Sequence, residues 1–141
     1  MIHYLFVLIL GMTTVANSHS SDPPHEKKHK VVIQVSKVDP AAQLKVIGQI
    51  NNILGALPNT QIQVVCHSDG LPMLVTAQSK VAAHVKLLYE QGVVFAACEN
   101  TMKRNKLTKA DLLPESITVP SGLAEIILKQ EAGWTYLKVG I

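Results

Sequence analysis

Short unbroken apolar runs alternate along this chain with stretches in which apolar residues recur every third or fourth position. The two rhythms predict strands and helices in turn. Val31-Val32-Ile33-Gln34-Val35-Ser36 predicts a first strand, apolar enough to be covered on both faces. Asp39-Pro40 predicts a helix start, with Asp39 as the cap and Pro40 at the first helical position. Leu44, Ile47, Ile50, Leu54 and Leu57 follow at helical spacing as its buried stripe, and Pro58-Asn59 ends it. Ile62 to Cys66 predicts a second strand, with His67-Ser68-Asp69-Gly70 as its exit loop. Leu71 to Ala77 predicts a short helical crossing. Gln78 to Gln91 predicts a helix with Val81, Val85 and Leu88 inward and Gly92 as its stop.

Val93 to Cys98 predicts a third strand, and a short cationic helix follows through Met102 and Lys106. Thr108-Lys109-Ala110-Asp111 resembles a capping box with Asp in place of Glu, broken by Pro114. Ile117-Thr118-Val119 predicts a brief fourth strand. Ser121 then caps a helix with Leu123, Ile126, Ile127 and Gln130 on its inner side and a favourable Glu125–Lys129 pair. Gly133 stops that helix, and Trp134 to Val139 predicts a last, half-exposed strand. Strands alternating with helices imply a three-layer α/β/α sandwich on a mostly parallel sheet, with right-handed crossovers placing helices on both faces. One edge then collects the exit loops: Ser36-Lys37, His67-Ser68-Asp69, Cys98-Glu99-Asn100 and Pro120-Ser121.

The leading segment reads differently. Leu5 to Leu10 is an unbroken apolar run, followed by small residues at Thr14, Ala16, Ser18 and Ser20. This predicts a secretory signal peptide over 1–20, cleaved after Ala16, Ser18 or Ser20. It carries no Lys or Arg, only the α-amino group and His3. The run is short for a membrane span, which needs roughly 20 residues; an uncleaved anchor is the alternative. No cysteine lies near the cleavage region, which argues against a lipoprotein anchor. Residues 21–30, polar and containing Pro23-Pro24, read as a flexible leader, and 31–141 as one domain. The expected product is exported, soluble and periplasmic.

The formal charge is only +3 in 141 residues, and aromatics make up 4%. The lysines are scattered apart from Lys27-Lys28-His29-Lys30 and Lys103-Arg104-Asn105-Lys106. Stacking platforms for nucleic acid are missing. No Gly-rich phosphate loop and no Ser nucleophile elbow is present, so no cofactor is implied. His25, Glu26 and His29 have helical metal-ligand spacing but read as a solvated leader, so no metal is assigned. His84 falls on the outer side of its helix. Trp134 and Tyr136 read as packing or oligomer contacts.

The candidate chemistry lies in two cysteines, Cys66 and Cys98. So few cysteines, with no Cys-x-x-Cys, argue against a disulfide scaffold or a thioredoxin-type exchanger. Cys98 ends an apolar strand just before a helical turn, where backbone N–H groups and a partial positive charge favour an anion. A free thiol has a pKa near 8.5, so about 3% is thiolate at pH 7. Lys103, Arg104 and Lys106 would favour the thiolate; Glu99 and burial would oppose it. The reading is a modest net activation, with an inert packed cysteine as the rival. If the strands ending at Cys66 and Cys98 are neighbours, their Cα atoms lie about 5 Å apart, within disulfide range; an intervening strand makes that about 10 Å and forbids a bond. His67 is a candidate proton partner for Cys98. His67, Ser68 and Asp69 cannot form a triad, because adjacent residues do not reach that geometry.

Four ordered stretches carry a family resemblance: Phe95-Ala96-Ala97-Cys98-Glu99-Asn100-Thr101-Met102, Asp111-Leu112-Leu113-Pro114, Val119-Pro120-Ser121-Gly122-Leu123-Ala124-Glu125-Ile126 and Lys129-Gln130-Glu131-Ala132-Gly133-Trp134-Thr135-Tyr136. Over about Lys30 to Val139 the chain resembles the DsrE/DsrF-like sulfur-metabolism family, more narrowly its exported single-domain bacterial branch. The resemblance implies a compact α/β domain with a parallel five-stranded sheet, and homo-oligomers, trimers or hexamers. In sulfur-relay members a cysteine after the third strand carries sulfur as a persulfide, and Cys98 matches that position. The relay members work in the cytoplasm with dedicated partners, whereas this chain reads as exported. The expected function is an exported persulfide carrier or sulfurtransferase-like relay through Cys98, exchanging sulfur with a donor or acceptor protein. Backbone N–H groups at Asn100 and Thr101 would bind the anion, with His67 and Ser121 at the same edge. The alternative is a non-catalytic oligomeric binding module whose edge pocket holds a small ligand or a protein partner.

Overall fold

The structure is a computed structural model and describes residues 28–140. The predicted signal peptide, the leader up to residue 27, and with it His25 and Glu26, lie outside the described residues. Runs rich in Val and Ile become five strands: β1 (Lys30–Lys37), β2 (Gln61–Asp69), β3 (Val94–Cys98), β4 (Ser116–Val119) and β5 (Thr135–Val139). They form one sheet in the order β4-β3-β2-β1-β5, and every pair is parallel. The helices are α1 (Gln43–Ala56), α2 (Ala82–Glu90), α3 (Glu99–Arg104) and α4 (Gly122–Glu131). The expected α/β sandwich is observed. Its sheet is wholly parallel, with helices on both faces.

Alternation along each strand divides the core in two. Val31, Ile33, Val35, Ile62, Val64, Cys66, Phe95 and Ala97 face α1, α2 and Met102 of α3. Val32, Val65, Ala96 and Val119 face the other way, onto Ile126 of α4 and Trp134. Strands β1 to β4 step across the sheet in one direction, so their right-handed crossovers share a face. The chain then returns to β5 at the far edge, so α4 lies alone on the opposite face. Consequently the exits of β3 and β4, although adjacent, leave to opposite faces. In open α/β sheets a crevice forms at the carboxyl ends of such a strand pair.

The predicted stops and caps largely hold. Gly92 and Gly133 adopt φ +93° and +83° after α2 and α4. Thr108 and Asp111 close the capping box in both directions. Val81, Val85 and Leu88 are buried as expected. Asp39 makes no capping bond; a 3-10 turn, Pro40–Ala42, precedes α1 instead. The buried stripe of α1 is Gln43, Val46, Ile47 and Ile50, and Leu44 is exposed. Gln43 is drawn inward because its Oε1 accepts the Lys80 N–H at 2.7 Å. In α4, Ile126 is buried, but Leu123 and Ile127 are 57% and 56% exposed, contrary to the expected inner side. A single helix cannot span a five-stranded face, so residues flanking its contact line stay uncovered. Ile117 on β4 is exposed beside them.

Candidate functional site

Cys98 is the last residue of β3 and the N-cap of α3. It pairs with Val119 of β4, so it sits at the carboxyl end of the strand pair whose exits diverge. Cys66 pairs not with Cys98 but with Ala97. That one-residue offset turns the two side chains to opposite faces of the sheet. Both cysteines are therefore free, although their strands are neighbours. The bond considered from the sequence is absent because of register, not distance. Cys66 points into the larger core, and burial pushes its thiol up to about 12.

Cys98 has the opposite tendency. It is only 5% exposed, less open than the sequence reading requires. Burial is the largest influence on its thiol and acts upward. The Gly122 N–H, the Thr101 N–H and hydroxyl, and the Asn100 N–H together outweigh it, so the thiol lies below its ordinary value. The bond to Sγ that closes is from Gly122 N–H, at 3.2 Å. The donors of α3 stand by without forming a capping bond. Gly122 comes this close because it has no side chain. A Cβ there would lie 3.1 Å from His67 Cβ and 3.3 Å from both Cys98 Cβ and Val65 Cγ1.

His67 lies beside Cys98 on the same face, 8% exposed. It does not bond the sulfur, contrary to the direct proton-partner role expected of it. Its Nε2 is 2.8 Å from Gln34 Nε2, and its Nδ1 is 3.0 Å from Ser68 Oγ. Gln34 Oε1 accepts from the Tyr136 hydroxyl, so the Gln34 NH₂ faces the ring. His67 Nε2 is then an acceptor, and the neutral ring carries its proton on Nδ1 and donates to Ser68. Burial first, then the charges of Lys138 and Arg104, lower the His67 pKa from 6.5, which favours that neutral form. Between Val35/Cys66 and Lys37/Asp69 the β1–β2 register slips, and Ser68 stands at φ +49° in the resulting bulge. Its N–H donates to Thr101 Oγ1 at 3.0 Å.

The structure thus brings Cys98, His67, Thr101 and the Asn100 backbone together. Ser121 instead caps α4, its Oγ accepting from Ala124 N–H at 3.4 Å; its neighbour Gly122 is what touches the sulfur. Lys103, Arg104 and Lys106 are exposed, and the pull on the thiol comes from backbone donors and Thr101. Sequence reasoning missed Gly122, Gln34 and Tyr136 as site residues. Two signals were available: a glycine directly after a helix cap, and one polar residue inside an otherwise apolar strand. Among the described residues no group of three or more metal-ligating side chains gathers. Gln63 donates to Glu125 Oε1 at 2.7 Å, and Lys129 lies 4.4 Å over the Trp134 ring. The first contact anchors α4 to β2, and the second ties α4 to the connection that leads into β5.

Comparison with known proteins agrees with this architecture. The model of the DsrE/DsrF-like family matches residues 20–139. The structure of MTH1491 from Methanobacterium thermoautotrophicum, described as a protein of unknown function, is 31% identical with a TM-score of 0.75; the match covers 79% of this chain and all of that one. The ychN protein of E. coli shares the fold at a TM-score of 0.65 and 11% identity, over 80% of this chain and all of that one. No curated protein matches the chain.

Proposed function

We propose, from the premise that this chain belongs to the DsrE/DsrF-like family, that Cys98 is a sulfur-carrying thiol. The family is linked to sulfur relay. The observation that supports the role here is the set of donors around one thiol, Gly122 N–H at 3.2 Å and Thr101 beside it, at the carboxyl ends of β3 and β4. Hydrogen bonds to an ionised acceptor are worth about 1.5–3 kcal/mol each, against about 0.5–1.5 for neutral pairs. The same donors that favour the thiolate would favour a persulfide anion.

The Cys98 thiolate attacks the outer sulfur of a sulfane donor such as thiosulfate. A new S–S bond forms at Cys98, the donor's S–S bond breaks, and sulfite leaves with the electron pair. The persulfide remains as an anion, and no outside oxidant is consumed. Cys98 is 5% exposed, so this reading requires the first turn of α4 to move aside and admit the donor. The low exposure also favours a second reading, a binding module in which the thiol only packs. Cys98→Ala separates the two, since a binding module keeps its biological activity.

The apolar run Leu5 to Leu10 and the small residues after it support export to the periplasm. Among the described residues no helix is long and apolar enough to cross a membrane. The exposed Leu123, Ile127 and Ile117 beside α4 support homo-oligomerisation through the half-covered face. The sulfur role is tested by mass spectrometry after exposure to thiosulfate or polysulfide. One added sulfur on the peptide holding Cys98, absent in Cys98→Ser, is the expected result. No added mass, while a control thiol reacts normally, overturns it.

A further inference from the structure

The hydroxyl oxygen of Thr101, on α3, is held from β2. Ser68 N–H donates to Thr101 Oγ1 at 3.0 Å, which leaves the hydroxyl hydrogen for the sulfur. That N–H points the right way only because Ser68 stands at φ +49°, a left-handed conformation unfavourable for a residue with a side chain. His67 is placed to hold it there, with Nδ1 3.0 Å from Ser68 Oγ. Nδ1 can donate because Nε2 is occupied as an acceptor by the Gln34 NH₂, and Gln34 is itself oriented by the Tyr136 hydroxyl. A continuous line of hydrogen bonds thus runs from exposed β5 through β1 and β2 to Thr101 on α3, at the site of the thiol. Thr101 is the member of it that acts on the thiol.

We propose that His67 is a positioning residue for Cys98: its Nδ1–H holds Ser68 in the bulge whose N–H fixes the Thr101 hydroxyl as a donor to the sulfur. The proposal builds on Cys98 as the reactive thiol. It does not require that the thiol accept sulfur from any given donor.

The test is the rate of Cys98 alkylation against pH in the full chain, read by mass for each cysteine peptide. Thr101→Val raises the Cys98 pKa by about half a unit, which slows alkylation about threefold at a pH below both values. Thr101→Ser restores it. His67→Asn keeps an amide donor near the Nδ1 position and leaves the profile near that of the parent. His67→Gln keeps only a group near Nε2 and raises the pKa as Thr101→Val does. In the Thr101→Val background His67→Gln adds nothing, because both act through one hydroxyl. Ser68→Ala, at a partly exposed position, gives the same rise and stands in if a His67 variant fails to fold. Equal profiles for His67→Gln and His67→Asn overturn the proposal, as does a His67→Gln shift that adds to that of Thr101→Val, or an unshifted Ser68→Ala. These shifts are read without a sulfur donor, so a failed persulfide assay and a failed positioning role are distinguishable.

Discussion

Replacing Gly122 by alanine places one methyl group at the tightest point of the site. Its Cβ would stand 3.1 Å from His67 Cβ and 3.3 Å from Cys98 Cβ and Val65 Cγ1. Ordinary carbon contacts sit at about 3.5–4.0 Å. All three neighbours belong to the central strands β2 and β3, which cannot retreat, so the first turn of α4 must lift by a few tenths of an ångström. Overpacking of this kind costs about 1–3 kcal/mol. Removing a helical glycine returns up to about 1 kcal/mol. The net expectation is a loss of about 0.5–2 kcal/mol. The same lift lengthens the 3.2 Å bond from Gly122 N–H to the sulfur and raises the Cys98 pKa. Urea unfolding reports the first effect as a lower midpoint at constant slope, and alkylation against pH reports the second. Gly48→Ala is the control. It makes the same change inside α1, where nothing lies within 4 Å of the new Cβ, and should stabilise by about 0.5–1 kcal/mol. A Gly122→Ala protein as stable as its parent, with an unchanged Cys98 profile, would refute the close-packing argument.

Two further predictions concern the rest of the site and its surroundings. The folded His67 ring binds its proton less tightly than an unfolded one, whose value is 6.5. Between the two values the unfolded state holds more protons, so stability falls as the pH drops through 6.5 and levels off below the folded value. His67→Gln should flatten that decline in urea midpoints taken from about pH 8 to about pH 5; an unchanged slope contradicts it. The double substitution Leu123→Asp with Ile127→Asp should convert an oligomer to monomer in sedimentation while shifting stability by less than about 0.5 kcal/mol, since both side chains are already exposed. An unchanged sedimentation coefficient contradicts the proposed association through α4.

Much of the fold was legible because period and punctuation are local. Val81, Val85 and Leu88, the stops at Gly92 and Gly133, and the Thr108–Asp111 box could each be read from a few adjacent residues. The errors fall where the answer depends on what lies across a gap. Helical spacing in α4 admits Leu123 and Ile127 as inner residues. Only the strand order shows that α4 must cover its face alone and leave them out. The Leu44 stripe of α1 is displaced by the bond from Gln43 to Lys80, a residue 37 positions away. Cys98 at a strand end was visible, whereas the adjacency of the Cys66 strand was left open and is answered only by the strand order. Which face each thiol takes rests on a single residue of register, which pattern does not specify. The links from Tyr136 to Gln34 and from Gln34 to His67 join three strands and leave no local signature beyond an isolated glutamine.

Of the two buried cysteines, one thiol is drawn below its ordinary value by hydrogen-bond donors and the other is pushed above it by burial. Native-state alkylation followed across pH, resolved for each cysteine peptide, tests it directly. Cys98 should be modified first and titrate below an ordinary thiol, while Cys66, pushed to about 12, stays unmodified until the protein unfolds. Modification of both at one rate, tracking global unfolding, or of Cys66 ahead of Cys98, would contradict it.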